Sequence, residues 1–282
     1  MSRGGPGGAR PKAYLALPGP WLVAHRGGAL VAPENTLAAF DRAAALGADA
    51  METDVRLSAD GAVVVFHDEE TGRITGAPGT IEARTLAEIA RLDAGACFTP
   101  DGGRTFPFRE RGLRIPTLQE ALARLPGMRF NVEAKTADPR LAEALVAVVR
   151  EAGALDRVCL GSSDDAQGER IRALLPGACH FLPEGAATCH VLAARSGGEA
   201  TGCPEGWDVA DLPLRTDQGL WVVDAAVVSW FRARGLAVFV WTVDEEADMR
   251  RLLDLGVQGV MTDRPDRLAR VLGRPGPGGA PG

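Results

Sequence analysis

Two histidines in the first quarter of the chain each follow an apolar run and precede a charged residue: His25-Arg26 after Leu22-Val23-Ala24, and His67-Asp68 after Val63–Phe66. Between them Glu52 and Asp54 stand two residues apart, and Glu133 and Lys135 repeat that spacing further on. Residues two apart on a strand share a face, so each pair projects together. Three carboxylates converging at one point repel one another and shift upward in pKa unless a cation intervenes. A hard divalent ion relieves the repulsion, and oxygen donors with no cysteine nearby favour Mg²⁺ or Ca²⁺ over Zn²⁺. Two imidazoles beside such an ion suit displacement at a phosphodiester, one removing a proton from the attacking hydroxyl and the other protonating the leaving oxygen. Arg26 and Lys135 would grip phosphate oxygens, the arginine through its planar fork.

Further candidates are weaker singly. Glu34, in the loop after His25, is placed to orient that histidine or an attacking hydroxyl, whereas Pro33, Asn35 and Thr36 read as ordinary helix-start chemistry. Trp241, at the end of an apolar run, is a candidate pocket wall. His180 and His190 read as satisfied structural histidines.

These side chains need a scaffold that brings strand ends together. Eight β-rich runs alternate with amphipathic segments between Trp21 and about Arg270: 21–26, 50–57, 129–135, 157–162, 179–184, 207–214, 237–243 and 259–263. Repeated βα units predict a parallel sheet, and eight of them predict a (β/α)8 TIM barrel in the α/β class. The active residues would then sit at its C-terminal mouth. A helix over 35–47 is predicted with Asn35 as cap and Gly47 beyond its last turn, and one over 244–256 with Asp244 as cap and Gly256 at its end.

One extra run, 62–68, follows the second strand after only Ser58-Ala59-Asp60-Gly61. A parallel crossover needs a dozen residues or more, so this connection predicts an antiparallel hairpin that brings His67 level with Glu52 and Asp54. Residues 69–115 then form a small insertion with one helix, over 85–93, and a segment of that length is expected to serve function.

A chain of 282 residues, 46% hydrophobic and 24% charged, suits an ordinary globular enzyme with one large domain over 13–272 and Gly/Pro-rich tails at 1–12 and 273–282. A net charge of −6 argues against nucleic acid as partner. Pro18, Gly19 and Pro20 interrupt the only apolar stretch near the N-terminus, so no membrane span is expected. Five cysteines without paired spacing predict reduced thiols and a cytoplasmic protein.

The motifs HRGG-x6-PENT, ETDVRLSADGAVVVFHD, IPTLQEAL, NVEAK, VWTVD and GVMTDRP, in this order, resemble the glycerophosphodiester phosphodiesterase family across nearly the whole chain. The resemblance implies a (β/α)8 barrel with an insertion, and hydrolysis of small-molecule glycerophosphodiesters to glycerol phosphate and an alcohol. It implies His25 and His67 as the acid/base pair, Arg26 and Lys135 as phosphate contacts, Glu34 as the PENT glutamate, and Glu52, Asp54 and Glu133 as ligands of Mg²⁺ or Ca²⁺. Ser58 stands where threonine is commoner and Asp244 where asparagine is usual. The competing readings are a lysophospholipase D-like or phosphoinositide-phospholipase-like enzyme with the same catalytic parts, and a non-catalytic barrel acting as a binding protein. Head-group choice is expected to lie in segments 69–115 and 184–206. An amidohydrolase would want two histidines one residue apart on the first strand, and a glycosidase would want carboxyl groups on either side of a sugar.

Overall fold

Strands buried on both faces need continuous apolar runs, and that requirement shapes the centre of this molecule. The computed structural model describes residues 12–198 and 201–274. Its strands are β1 (Trp21–Ala24), β2 (Ala50–Leu57), β3 (Val63–Val65), β4 (Arg129–Ala134), β5 (Val158–Gly161), β6 (Cys179–His180), β7 (Val209–Pro213), β8 (Ala237–Trp241) and β9 (Gly259–Thr262). Leaving out β3, the order is β6-β5-β4-β2-β1-β9-β8-β7, with parallel pairing throughout. A parallel bridge between Phe181 and Val209 joins the two ends of that order. The predicted eight-stranded parallel barrel is therefore present.

The helices are α1 (Leu37–Ala45), α2 (Gly72–Thr75), α3 (Leu86–Ile89), α4 (Leu118–Arg124), α5 (Pro139–Glu151), α6 (Asp165–Leu174), α7 (Glu184–Ser196), α8 (Ala225–Ala233), α9 (Glu246–Leu255) and α10 (Pro265–Val271). Alternation along β1 divides the core. Trp21 and Val23 join Tyr14, Phe181, Val209, Phe239 and Met261 in one apolar cluster, while Leu22 and Ala24 pack with helix residues such as Phe40 and Leu268 in another. Ring packing in the first cluster is close: the Phe239 ring approaches to 2.3 Å of the point a Cβ on Gly259 would occupy.

β3 pairs antiparallel with β2 in the register Val55–Val65, Arg56–Val64 and Leu57–Val63, and Phe66 N donates to Asp54 O at 3.0 Å. That is the predicted hairpin, and it carries the chain leading to His67 alongside the middle of β2, where Glu52 and Asp54 stand. The insertion has its own core of Val64, Phe66, Ile81, Ile89, Ala94 and Ile115. Its expected helix is shorter than predicted, α3 starting from Thr85 in a capping box with Glu88.

Several local expectations need correction. The first strand stops at Ala24, and His25–Gly27 form a tight turn with Arg26 at φ 50°. The run at 179–184 gives only the two residues of β6, and most of segment 184–206, expected as a loop, is α7. Asn35 does not cap α1. Thr36 does, its hydroxyl accepting from Ala39 N, because the Asn35 side chain is engaged inward at the barrel mouth. Asp244 likewise faces inward, accepting from Thr262 Oγ1 and Asp263 N, and Glu245 precedes α9 without a side-chain cap.

Cys189 on α7 and Cys203 are joined in a disulfide with Cα atoms 5.6 Å apart, while Cys97, Cys159 and Cys179 are free. The expectation of five reduced thiols therefore fails for this pair, because the chain reversal after α7 brings together residues 14 apart that no spacing motif links. Disulfides persist in oxidising compartments, so the argument from reduced thiols to a cytoplasmic protein falls with it. No helix among the described residues is long and apolar enough to cross a membrane. Of the two expected tails, residues 1–11 and 275–282 lie outside the described residues. Lys12 Nζ donates to Pro176 O at 2.7 Å, and Arg274 pairs with Asp49 at 2.5 Å.

Candidate active site

In parallel β2 and β4, Glu52 lies opposite Asn131 and Asp54 opposite Glu133. This register assembles Glu52, Asp54 and Glu133 so that one carboxylate oxygen from each lies within 4.8 Å of the others. Oxygens bound to one cation are at most twice the bond length apart, about 4.2 Å for Mg²⁺ and about 5.2 Å for Ca²⁺, so a spread within 4.8 Å suits Ca²⁺ as it stands and Mg²⁺ after a small contraction. Electrostatics agree. Burial and then the neighbouring Asp54 push Glu52 up to about 8, against the pull of His25 and Arg26. Burial also opposes charge on Asp54, yet Lys135 and Arg26 hold it below the ordinary carboxylate range. The raised Glu52 shows the cost of holding these carboxylates together, and a divalent ion bound there would relieve it.

Arg26 is aimed by its turn. Its backbone N donates to Glu52 Oε2 at 2.9 Å, its Nη1 donates to Glu34 Oε1 at 3.0 Å, and its buried Nε lies 3.3 Å from Asp54 Oδ2 as an ion pair without hydrogen-bond alignment. Lys135, just past β4, reaches Glu133 Oε2 at 3.0 Å and Asp54 Oδ1 at 3.5 Å. Asn35 completes the cradle, donating to Asp54 Oδ2 at 2.9 Å and accepting from Thr53 Oγ1 at 2.7 Å.

Each histidine in the mouth has a carboxylate behind it. His25 Nδ1 lies 2.7 Å from Asp263 Oδ1, and His67 Nδ1 lies 2.7 Å from Asp68 Oδ1. An ionised carboxylate only accepts, so each Nδ1 carries the proton and each Nε2 is left for chemistry. His25 Nε2 lies 3.8 Å from Glu52 Oε2. Burial disfavours charge on His25, but Glu52 and the hydrogen-bonded Asp263 prevail and raise it to about 9. Burial, joined by Lys135 and Arg26, lowers His67 despite Asp54 and Asp68. The two rings are thus biased to opposite protonation states.

The structure gathers His25, Arg26, Glu34, Glu52, Asp54, His67, Glu133 and Lys135 around one cluster, and sets Trp241 at the end of β8 with 41% of its surface exposed. Glu34 does not orient His25: its partners are Arg26 and Arg73. His180 and His190 are buried with Nε2 on backbone carbonyls of Leu175 and Pro204, each at 2.9 Å. Sequence reasoning missed Asp263, Asp68, Asn35, Asp244 and Arg73. A polar residue ending the last strand (Asp263) and a carboxylate adjoining a histidine (Asp68) were readable signals. Arg73, inside the insertion, offers none.

The glycerophosphoryl diester phosphodiesterase family profile matches residues 25–267. A glycerophosphodiester phosphodiesterase of Caldanaerobacter subterraneus is 33% identical over 265 residues, covering 90% of this chain and 98% of its own. A probable glycerophosphodiester phosphodiesterase of Mycobacterium tuberculosis is also 33% identical, covering 94% and 96%. The structure of an Oleispira antarctica phosphodiesterase in complex with the product sn-glycerol-3-phosphate superposes with a TM-score of 0.73 at 26% identity, covering 90% of this chain and 97% of that one. From its profile match and from full-length relatives sharing a third of its residues, the chain belongs to the glycerophosphoryl diester phosphodiesterase family of enzymes.

Proposed function

We propose that this enzyme hydrolyses glycerophosphodiesters to glycerol phosphate and an alcohol, with His67 as general base, His25 as general acid, and Glu52, Asp54 and Glu133 holding Mg²⁺ or Ca²⁺. The observation that carries the reading is the pair of imidazoles, each with Nδ1 on an aspartate, flanking a three-carboxylate cluster beside Arg26 and Lys135. When bound, the cation supplies charge neutralisation and Lewis-acid polarisation at phosphate oxygens. Arg26 and Lys135 bind the remaining phosphate oxygens and Trp241 forms a wall for the organic part of the substrate. Glu34 contributes to substrate binding by holding the Arg26 fork in place.

Proton movements follow from the two charge states. Neutral His67 takes the proton of the glycerol hydroxyl next to the phosphate through Nε2, and that oxygen attacks phosphorus. The bond from phosphorus to the departing alcohol oxygen breaks, and His25 gives that oxygen its Nε2 proton. Water then opens the cyclic phosphate: His25 removes a proton from water, and His67 returns one to the glycerol oxygen, which restores both rings.

A hydrolysis panel of glycerophosphocholine, glycerophosphoethanolamine, glycerophosphoglycerol and lysophosphatidylcholine, with Mg²⁺, Ca²⁺ or chelator, tests the reading. Turnover of glycerophosphodiesters should vanish in chelator and return with one of the two ions. Glu52→Gln should weaken metal binding in calorimetry while leaving the circular dichroism spectrum unchanged. Full turnover by metal-free protein would end the metal assignment, and turnover of lysophosphatidylcholine alone would favour the lysophospholipase D-like reading.

A further inference from the structure

We propose that Arg73, contributed by the insertion, is a positioning residue that sets Arg26 and His67 through the two carboxylates behind them. The inference rests on the roles given to those two residues above. Arg73 Nη1 and Nη2 donate to Glu34 Oε2 and Oε1 at 2.8 and 2.7 Å, while Nε and Nη2 donate to Asp68 Oδ2 and Oδ1 at 2.5 and 3.0 Å. The same Glu34 Oε1 accepts from Arg26, and the same Asp68 Oδ1 faces His67 Nδ1. One guanidinium therefore stands at the centre of a chain that runs Arg26, Glu34, Arg73, Asp68, His67.

The chemistry needs this fork. Glu34 follows the β1 turn and Asp68 follows β3, so no shared backbone element fixes one carboxylate relative to the other. A planar guanidinium with donors on two edges can hold both at once, which a lysine ammonium cannot do with the same geometry. An isolated exposed ion pair contributes little, but a double bidentate contact is the geometric exception. The carboxylates show the effect: against burial, the Arg73 and His67 hydrogen bonds bring Asp68 down to about 2, and those of Arg73 and Arg26 lower Glu34. α2, which carries Arg73, is itself anchored. Thr71 Oγ1 donates to Ala77 O and Gly79 O at 2.6 and 2.9 Å, and Cys97 N donates to Ile74 O at 3.2 Å. Half of the Arg73 side chain is exposed, so its truncation leaves the apolar core of the insertion intact.

Kinetics with glycerophosphocholine and saturating Mg²⁺ test the inference. A misplacement on the scale of 1 Å costs about 10²-fold, so Arg73→Ala should lower kcat/KM by about that factor, divided between a fall in kcat and a rise in KM. The two parts should separate in double variants. In an Asp68→Ala background the fall in kcat should largely vanish, and in a Glu34→Ala background the rise in KM should vanish. Thermal unfolding and Mg²⁺ binding should match wild type. Activity of Arg73→Ala within twofold of wild type, or the same loss in every background, would overturn the inference. His67→Ala and Arg26→Ala complete the set. If both retain full activity, the roles assigned to them fail and the inference with them; if both are impaired while Arg73→Ala is not, the inference alone fails.

Discussion

Asp263→Asn isolates the carboxylate behind His25 without changing its shape. The carboxylate receives His25 Nδ1 at 2.7 Å, and an amide can still turn its oxygen to that nitrogen, so the ring should keep its orientation. What disappears is the charge. Exchanging a charge-assisted hydrogen bond for a neutral one forgoes about 1–2 kcal/mol, or roughly one pKa unit on a histidine now raised to about 9. If His25 is the general acid, activity falls as pH rises through its pKa, and the variant should begin that fall about one unit lower. On the alkaline side of the His25 pKa such a shift lowers the protonated fraction by up to about tenfold, and well below the pKa it changes the fraction little. The assay is kcat/KM for glycerophosphocholine against pH, at fixed Mg²⁺ and ionic strength. An unmoved alkaline limb, or an equal loss at pH 7 and pH 9, would refute the assignment of His25 as acid.

Two further outcomes concern stability. Breaking the disulfide with Cys203→Ser frees a loop of about 15 residues in the unfolded chain and should cost about 3 kcal/mol in urea unfolding, with reductant doing the same to wild type; a wild-type midpoint insensitive to reductant would refute the cross-link. Gly259→Ala forces a methyl group against the Phe239 ring inside the barrel and should cost about 1–3 kcal/mol, so a midpoint equal to wild type would show that the ring can move aside.

Much of the site was legible because the relevant forces are local or periodic. The spacing of Glu52 and Asp54 fixes their common face on any strand, and the four residues from Ser58 to Gly61 admit only a hairpin, which is the pairing β2 and β3 make. Cap positions misled for a physical reason. Asn35 and Asp244 have the chemistry of helix caps, but each finds partners at the mouth instead, Asn35 on Asp54 and Asp244 on Thr262 and the backbone of Asp263.

The sequence by itself determined the barrel, through eight apolar runs with helical segments between them, and determined which carboxylates share a strand face, because side-chain alternation follows from backbone geometry alone. Tertiary structure decided which of those ends meet. Closing the barrel lays β9 against β1 and brings Asp263 to His25 across 238 residues, and the packing of the insertion brings Arg73 to Glu34 across 39. Chain reversal after α7 joined Cys189 to Cys203 in the same way. Such contacts depend on packing between elements distant in sequence, and periodicity, which reports only what neighbouring residues share, carries no record of it.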